Sequence, residues 1–279
     1  EPPAAVNFDP YGGQEVSDGW KEAAQERIER YRKGPLRIQV MTPDGEPVPM
    51  AEVKLEQTYS KYLFGTAVAD GPLLGTGENA DRYRAEFLRL FNYSVLANAL
   101  KWSFREGDFS TADRMLTWLK DHDIPVRGHT LLWPSYQHLP SIVRALRGEQ
   151  LRRAIELHVR DYVTRAKDRV VVWDVINESV TNTEVIRDGG RDLLWLPYLW
   201  ARESDPAVAL AYNDYNISNT RGGVSDAHRK TAVQNLLTML ENGANITIVG
   251  DQGHMNTPLT PIPRVLETWD EYTIHGQAL

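Results

Sequence analysis

Five short segments set polar, aromatic or ionisable side chains directly after apolar runs. ANALKW (97–102) carries Asn98, Lys101 and Trp102, and GHTLLW (128–133) carries His129 and Trp133. WDVINE (173–178) ends in Asn177 and Glu178, YNDYN (212–216) holds Asn213, Asp214 and Tyr215, and GDQGHM (250–255) holds Asp251, Gln252 and His254. A carboxylic acid such as Glu178 can give a proton to a leaving oxygen and later take one from water. An indole such as Trp133 offers a flat apolar face with a wet N–H edge, which suits packing on sugars. Each residue also has a plainer role. Asn177-Glu178 can cap a helix, Lys101 can be a solvated cation, and Trp133 can be a core ring. His129, Asp251 and His254 are zinc-ligand types, but no HExxH or comparable spacing joins them, so no metal is expected.

These segments need elements to position them. Near-continuous apolar strands are expected at 62–68, 93–99, 124–131, 170–176, 208–214 and 245–251, separated by helical patterns at 81–91, 111–122, 149–166 and 225–243. Apolar strands alternating with helices indicate a parallel sheet covered on both faces. The strand starts recur at about 37 residues, a spacing that suits the units of a (β/α)8 barrel. A doubly wound sheet is the alternative, and residues 65–78 hold glycines without the GxGxxG spacing such a sheet places after its first strand. In a parallel barrel all five polar segments would meet on one rim. The expected fold class is therefore α/β, a TIM barrel whose sixth unit runs to the end of the sequence, with strands seven and eight not represented.

Ahead of the barrel, residues 1–13 are Pro- and Gly-rich and read as an extended arm. Trp20, Ala24, Ile28 and Tyr31 recur at helical spacing, and Gly34-Pro35 stops that helix. LRIQV and AEVKLEQT, joined by TPDGEPVP, read as a hairpin. The expected division is 1–60 as an arm, helix and hairpin layer on the barrel, and 61–279 as the barrel itself.

Composition narrows the function classes. The 279 residues carry 31 basic and 38 acidic side chains, a formal charge of −7 without basic blocks, which argues against a nucleic-acid partner. No apolar run approaches the roughly 20 residues of a membrane helix, so no membrane association is expected. With no cysteine, disulfides and a thiol nucleophile are excluded.

The five segments, in this order, resemble the successive strand-end motifs of glycoside hydrolase family 10, whose members are mostly endo-β-1,4-xylanases on a (β/α)8 barrel. The resemblance covers roughly residues 61–279. It implies a retaining hydrolase of internal β-1,4 linkages in xylan, working by double displacement without a cofactor, with Glu178 as acid/base. It further implies that Asn177 holds a sugar 2-hydroxyl, and that Asn98, Lys101 and His129 bind sugar hydroxyls. Trp133 would be a sugar platform. Asn213 and Tyr215 would contact the sugar or the nucleophile, and Gln252 and His254 would hydrogen-bond the nucleophile. Xylan or xylo-oligosaccharides are the implied partners, and a polymeric substrate implies an extracellular or cell-surface location.

The chain also departs from the family pattern. Ala97 stands where a Glu is common, and after Trp133 the usual His and nearby Gln give way to PSYQHLP, so Gln137 and His138 are both open as replacements. The nucleophilic glutamate of the family follows strand seven. The stretch 264–279 resembles the helix before that strand, and Asp270 and Glu271 there are poor substitutes. A C-terminal remainder or complementary fragment supplying strands seven and eight is therefore an expected partner. A non-hydrolytic xylan-binding or inactive fragment, or a related β-1,4-glucanase, is the alternative.

Overall fold

The computed structural model describes residues 19–58, 60–219, 223–255 and 259–273. The chain separates into two units, one within Gly13–Tyr62 and one within Leu63–Leu279. The arm expected over 1–13 lies outside the described residues.

In the first unit, α1 (Gly19–Tyr31) forms where the helical spacing places it, with no buried side chain. The expected hairpin is reduced to its turn. Among the described residues a single antiparallel bridge joins Met41 and Pro47, with the Val48 N–H on Val40 O at 2.9 Å and Gly45 at φ +87° closing the bend. Pro47 and Pro49 remove backbone donors at the point where a ladder would continue.

The second unit is a parallel sheet wrapped by helices. Its strands are β1 (Gly65–Val68), β2 (Tyr93–Leu96), β3 (Val126–Leu132), β4 (Val170–Asn177), β5 (Ala209–Asp214) and β6 (Ile248–Asp251). All six expected strands form, all adjacent pairs are parallel, and the order is β1-β2-β3-β4-β5-β6. A doubly wound sheet reverses its strand order at a switch point. This sheet does not, which makes it barrel-type. Tyr62–Phe64 stay outside β1, with the Phe64 N–H donating to the Asn92 side chain at 2.8 Å instead of a ladder carbonyl.

Helices fill each crossover between strands, and one more follows β6. They are α2 (Asp70–Leu74) and α3 (Glu78–Leu90), α4 (Ser110–Asp121), α5 (Ser141–Arg144) and α6 (Gly148–Ala166), α7 (Glu184–Gly189) and α8 (Leu196–Ser204), α9 (Gly223–Glu241) and α10 (Ile262–Thr273). Each long helix turns one apolar stripe inward: Ala112, Met115, Leu116 and Leu119 on α4, and Ile155, Val159 and Val163 on α6, are all fully buried. On the helix side of the sheet, Trp173 of β4 lies over Gly128 of β3, and a Cβ at Gly128 would run into the indole.

Inside the curl of the sheet, β3 and β4 are tied by charge. Arg127 donates from Nε (2.9 Å) and Nη2 (2.6 Å) to Asp174 Oδ1, and His129 Nδ1 meets Asp174 Oδ2 at 2.9 Å. Burial alone would push the Asp174 carboxyl up, but the Arg127 charge and the hydrogen bonds from both partners outweigh it and hold the carboxyl below its usual range. Removing one member of such a buried pair leaves an uncompensated charge, a loss of about 3–5 kcal/mol.

His158 on α6 supports β3 from the other side. Its Nε2 donates to Leu131 O at 2.9 Å, its ring lies 4.0 Å from Trp102 at 8°, and Nδ1 is buried without a partner among the described residues. Burial therefore drives the imidazole pKa down to about 3. The unfolded chain takes up this proton near pH 6.5, whereas the folded chain refuses it until about pH 3. Stability must fall as pH drops through that window. Unfolding free energies from urea titrations between pH 7 and pH 4 should decline more steeply in the wild type than in His158→Phe, by up to about 1.4 kcal/mol per pH unit. Equal slopes would exclude His158 as the cause.

Candidate active site

The parallel ladder sets Asn177 opposite Asn213 and Asn213 opposite Gly250. A register irregularity between Asp174 and Ile176 lets Asp174 and Asn177 face the same interior despite their odd spacing. The shared interior is visible at Gly250, where a Cβ would collide with both Arg127 Nη2 and Asn213 Oδ1. Only a glycine leaves that room.

Glu178, half-buried, follows β4 at φ +57°, in the left-handed region that disfavours a side chain with a Cβ. Two backbone bonds hold it there: Glu178 N–H to Asn213 O at 2.8 Å, and Asn182 N–H to Glu178 O at 3.1 Å. Strain of this kind costs on the order of 1–3 kcal/mol and persists where the surroundings over-determine it. Its effect here is to turn the carboxylate off the strand. Oε1 accepts from Gln252 Nε2 at 2.9 Å, and Oε2 accepts from Trp133 Nε1 at 3.2 Å and Asn182 Nδ2 at 3.3 Å.

Around it the other strand-end residues assemble. Asn177 is fully buried, and its Oδ1 accepts from Asn213 Nδ2 (2.9 Å) and Gln252 Nε2 (3.2 Å). Its own Nδ2 is buried with no partner among the described residues. A buried, unpaired amide donor carries a desolvation cost of about 1–3 kcal/mol that a ligand oxygen would relieve. Gln252 Oε1 meets His254 Nε2 at 2.9 Å, so His254 steadies the amide that bridges Asn177 and Glu178. Lys101 Nζ donates to Asn98 Oδ1 at 3.0 Å and lies 5.9 Å from the Trp133 ring centre. Burial pushes the Lys101 ammonium pKa down, and the Glu178 carboxylate opposes that shift. His129 meets the edge of Trp133 at 6.1 Å.

Tyr215 is less central. Its hydroxyl meets Thr181 Oγ1 at 3.1 Å and its ring packs 4.7 Å from His228, so it braces the loop after Glu178. Three partners were not singled out by sequence: Asn182 on the acid itself, and the Arg127–Asp174 pair beneath His129. For Asp174 a signal existed, a carboxylate in an otherwise apolar run. For Asn182 the only signal was its place four residues after Glu178.

The remaining strand-end carboxylates are held in clusters of their own. Asp214, fully buried, accepts from Tyr212 OH (2.8 Å), pairs with His228 Nε2 (3.0 Å) and takes the Tyr215 N–H (2.9 Å). Asp251 accepts from Trp269 Nε1 at 3.1 Å and from the Gly253 N–H at 3.1 Å. Chemically, the rim offers one polar-clamped carboxyl, an unpaired amide beside it, an indole and an ammonium. That set can hold a polyhydroxylated ring and transfer a proton to it.

The glycosyl hydrolase family 10 model matches residues 54–277. A beta-1,4-xylanase of Dictyoglomus thermophilum is 28% identical over 227 residues, covering 76% of this chain and 60% of that protein. Endo-1,4-beta-xylanase B of Thermotoga neapolitana is 29% identical over 219 residues, covering 74% and 61%. Among solved structures, native xylanase 10B of Thermotoga maritima superposes with a TM-score of 0.67 at 25% identity, over 76% of this chain and 67% of that one. The chain thus spans less than two thirds of the length of these curated relatives. Six consecutive parallel units and a family match over most of the sequence lead to one conclusion: the chain belongs to glycosyl hydrolase family 10.

Proposed function

We propose that this chain carries the proton-transfer and sugar-holding part of a retaining endo-β-1,4-xylanase site, with Glu178 as the acid/base. The observation that carries the reading is the Glu178 carboxyl clamped by Gln252, Trp133 and Asn182 beside the unpaired, buried Nδ2 of Asn177. In the first step Glu178, as the acid, protonates the glycosidic oxygen while a second carboxylate attacks the anomeric carbon and the C–O bond breaks. In the second, Glu178 takes a proton from water as the water oxygen displaces that carboxylate. Asn177 Nδ2 would hold the 2-hydroxyl, a bond that tightens as positive charge develops on the ring. Trp133 would carry the sugar face, and Lys101, Asn98 and His129 its hydroxyls.

A retaining enzyme needs its second carboxyl group about 5–5.5 Å from the first. Asp174, Asp214 and Asp251 are engaged elsewhere, so the reading assigns the nucleophile to strands seven and eight of a completed barrel. Among the described residues β1 pairs only with β2, and β6 only with β5. Each therefore offers an open edge to further strands, from more of the same polypeptide or from a complementary chain. Because xylan is polymeric, the reading also sets the protein outside the cytoplasm.

Two outcomes test this. In the full-length protein, Glu178→Gln should lower turnover of unactivated xylan by about 10²–10⁴-fold, and by less for substrates with very good leaving groups. Xylo-oligosaccharide binding should survive. Wild-type rates on xylan in that variant would remove the assignment, and turnover of carboxymethylcellulose in preference to xylan would select the glucanase. Asn177→Ala should lower kcat by about 10²-fold with little change in KM, because the lost bond matters most in the transition state. An effect confined to KM would contradict the role given to Asn177.

A further inference from the structure

Trp133 has two flat faces, and one of them is covered. The His138 imidazole lies parallel to the indole, ring centres 3.6 Å apart and planes 14° apart. That is van der Waals contact, so a sugar ring and His138 cannot occupy the same face. The Nε1 edge of Trp133 is meanwhile committed to Glu178.

The backbone under His138 is fixed, but the imidazole is held lightly. Its turn is closed by His138 N–H to Ser135 O (3.0 Å) and Leu139 N–H to Tyr136 O (3.2 Å), with Leu139 buried and Tyr136 OH on Asp188 at 2.9 Å. Two other histidines stack on tryptophans, His158 on Trp102 and His122 on Trp118, each at 4.0 Å. Both have a ring nitrogen on a backbone carbonyl, Leu131 O at 2.9 Å and Trp118 O at 2.7 Å. Among the described residues the His138 ring has no such lock. Its hydrogen-bond partner is the neighbouring Gln137 side chain, at 3.1 Å. Rotation about its own side-chain bonds would uncover Trp133 without moving the loop. Burial lowers the His138 pKa, Lys101 and Arg144 lower it further, and Glu178 and Glu184 oppose them. The ring is therefore neutral at pH 7, and no cation–π attraction strengthens the stack.

We propose that His138 is a displaceable cover on Trp133, which a xylose ring stacking on that face of the platform beside Glu178 must push aside. This rests on the reading of Trp133 as a sugar platform given above. Any ligand that stacks on the covered face must break the imidazole–indole contact, whereas a ligand that binds elsewhere on the rim does not.

Equilibrium binding of xylotriose, followed by calorimetry, tests this without requiring turnover. The full-length wild type is compared with His138→Ala, His138→Phe, Trp133→Ala and the double variant His138→Ala with Trp133→Ala. A stacked pair of this kind is worth a factor of roughly two to twelve in affinity, and His138→Ala should tighten xylotriose binding by that factor. His138→Phe keeps the face covered, so it should bind no more tightly than the wild type. Removing Trp133 as well should abolish the gain. If the wild type binds and His138→Ala binds equally or more weakly, the cover is disproved while the platform stands. Tighter binding by His138→Phe disproves it too. If no variant binds xylotriose, the platform reading itself falls, and the cover with it.

Discussion

When every strand of a sheet runs the same way and pairs with its neighbour in sequence, all the carboxyl ends arrive at one rim. That constraint governs everything else in this chain. It brings Asn177, Asn213 and the residues after Gly250 side by side, although 36 residues separate the first two and a longer stretch the next. It lets one amide, Gln252 Nε2, bond Asn177 and Glu178 together. It also explains why Gly250 stands where it does, since the interior there is already filled by Arg127 and Asn213.

The interior is polar and must stay satisfied. Asp174 is stable as an ion because Arg127 and His129 reach it from the next strand, and that pairing in turn fixes the imidazole that faces Trp133. Farther up the rim the satisfaction is incomplete: Asn177 Nδ2 has no partner among the described residues, and Glu178 sits in a strained conformation. Unpaired donors and positive φ are costs to the fold, and both fall at the carboxyl end of β4.

Much of this is legible in the residues. The six strands are readable because apolar runs of β-branched residues, such as VVVWDVI, stop abruptly at polar ones, and the stop is the rim. Glu178, Asn177 and Gln252 could be named because they are those stops. Their partners could not all be named, for physical reasons. Alternation says which face Asp174 occupies only if the register is regular, and β4 is irregular just after it. The left-handed turn at Glu178 has no glycine to announce it, so the reach of Asn182 back to the carboxylate was hidden. Spacing leaves open whether Gln137 or His138 takes over the family's sugar contacts after Trp133, because only packing shows that the His138 ring lies flat on the indole. Alternation in LRIQV and AEVKLEQT predicts a hairpin, but Pro47 and Pro49 remove the donors its ladder needs, and one bridge forms among the described residues.

The central claim is that Glu178 and Asn177 act together on one sugar, and a structure of the full-length protein with bound xylotriose tests it most directly. The account predicts a glycosidic oxygen within about 2.6–3.2 Å of a Glu178 carboxyl oxygen, with the 2-hydroxyl of the adjoining ring on Asn177 Nδ2. A xylotriose bound away from this rim, or bound on it with the Asn177 amide still unpaired, would contradict it.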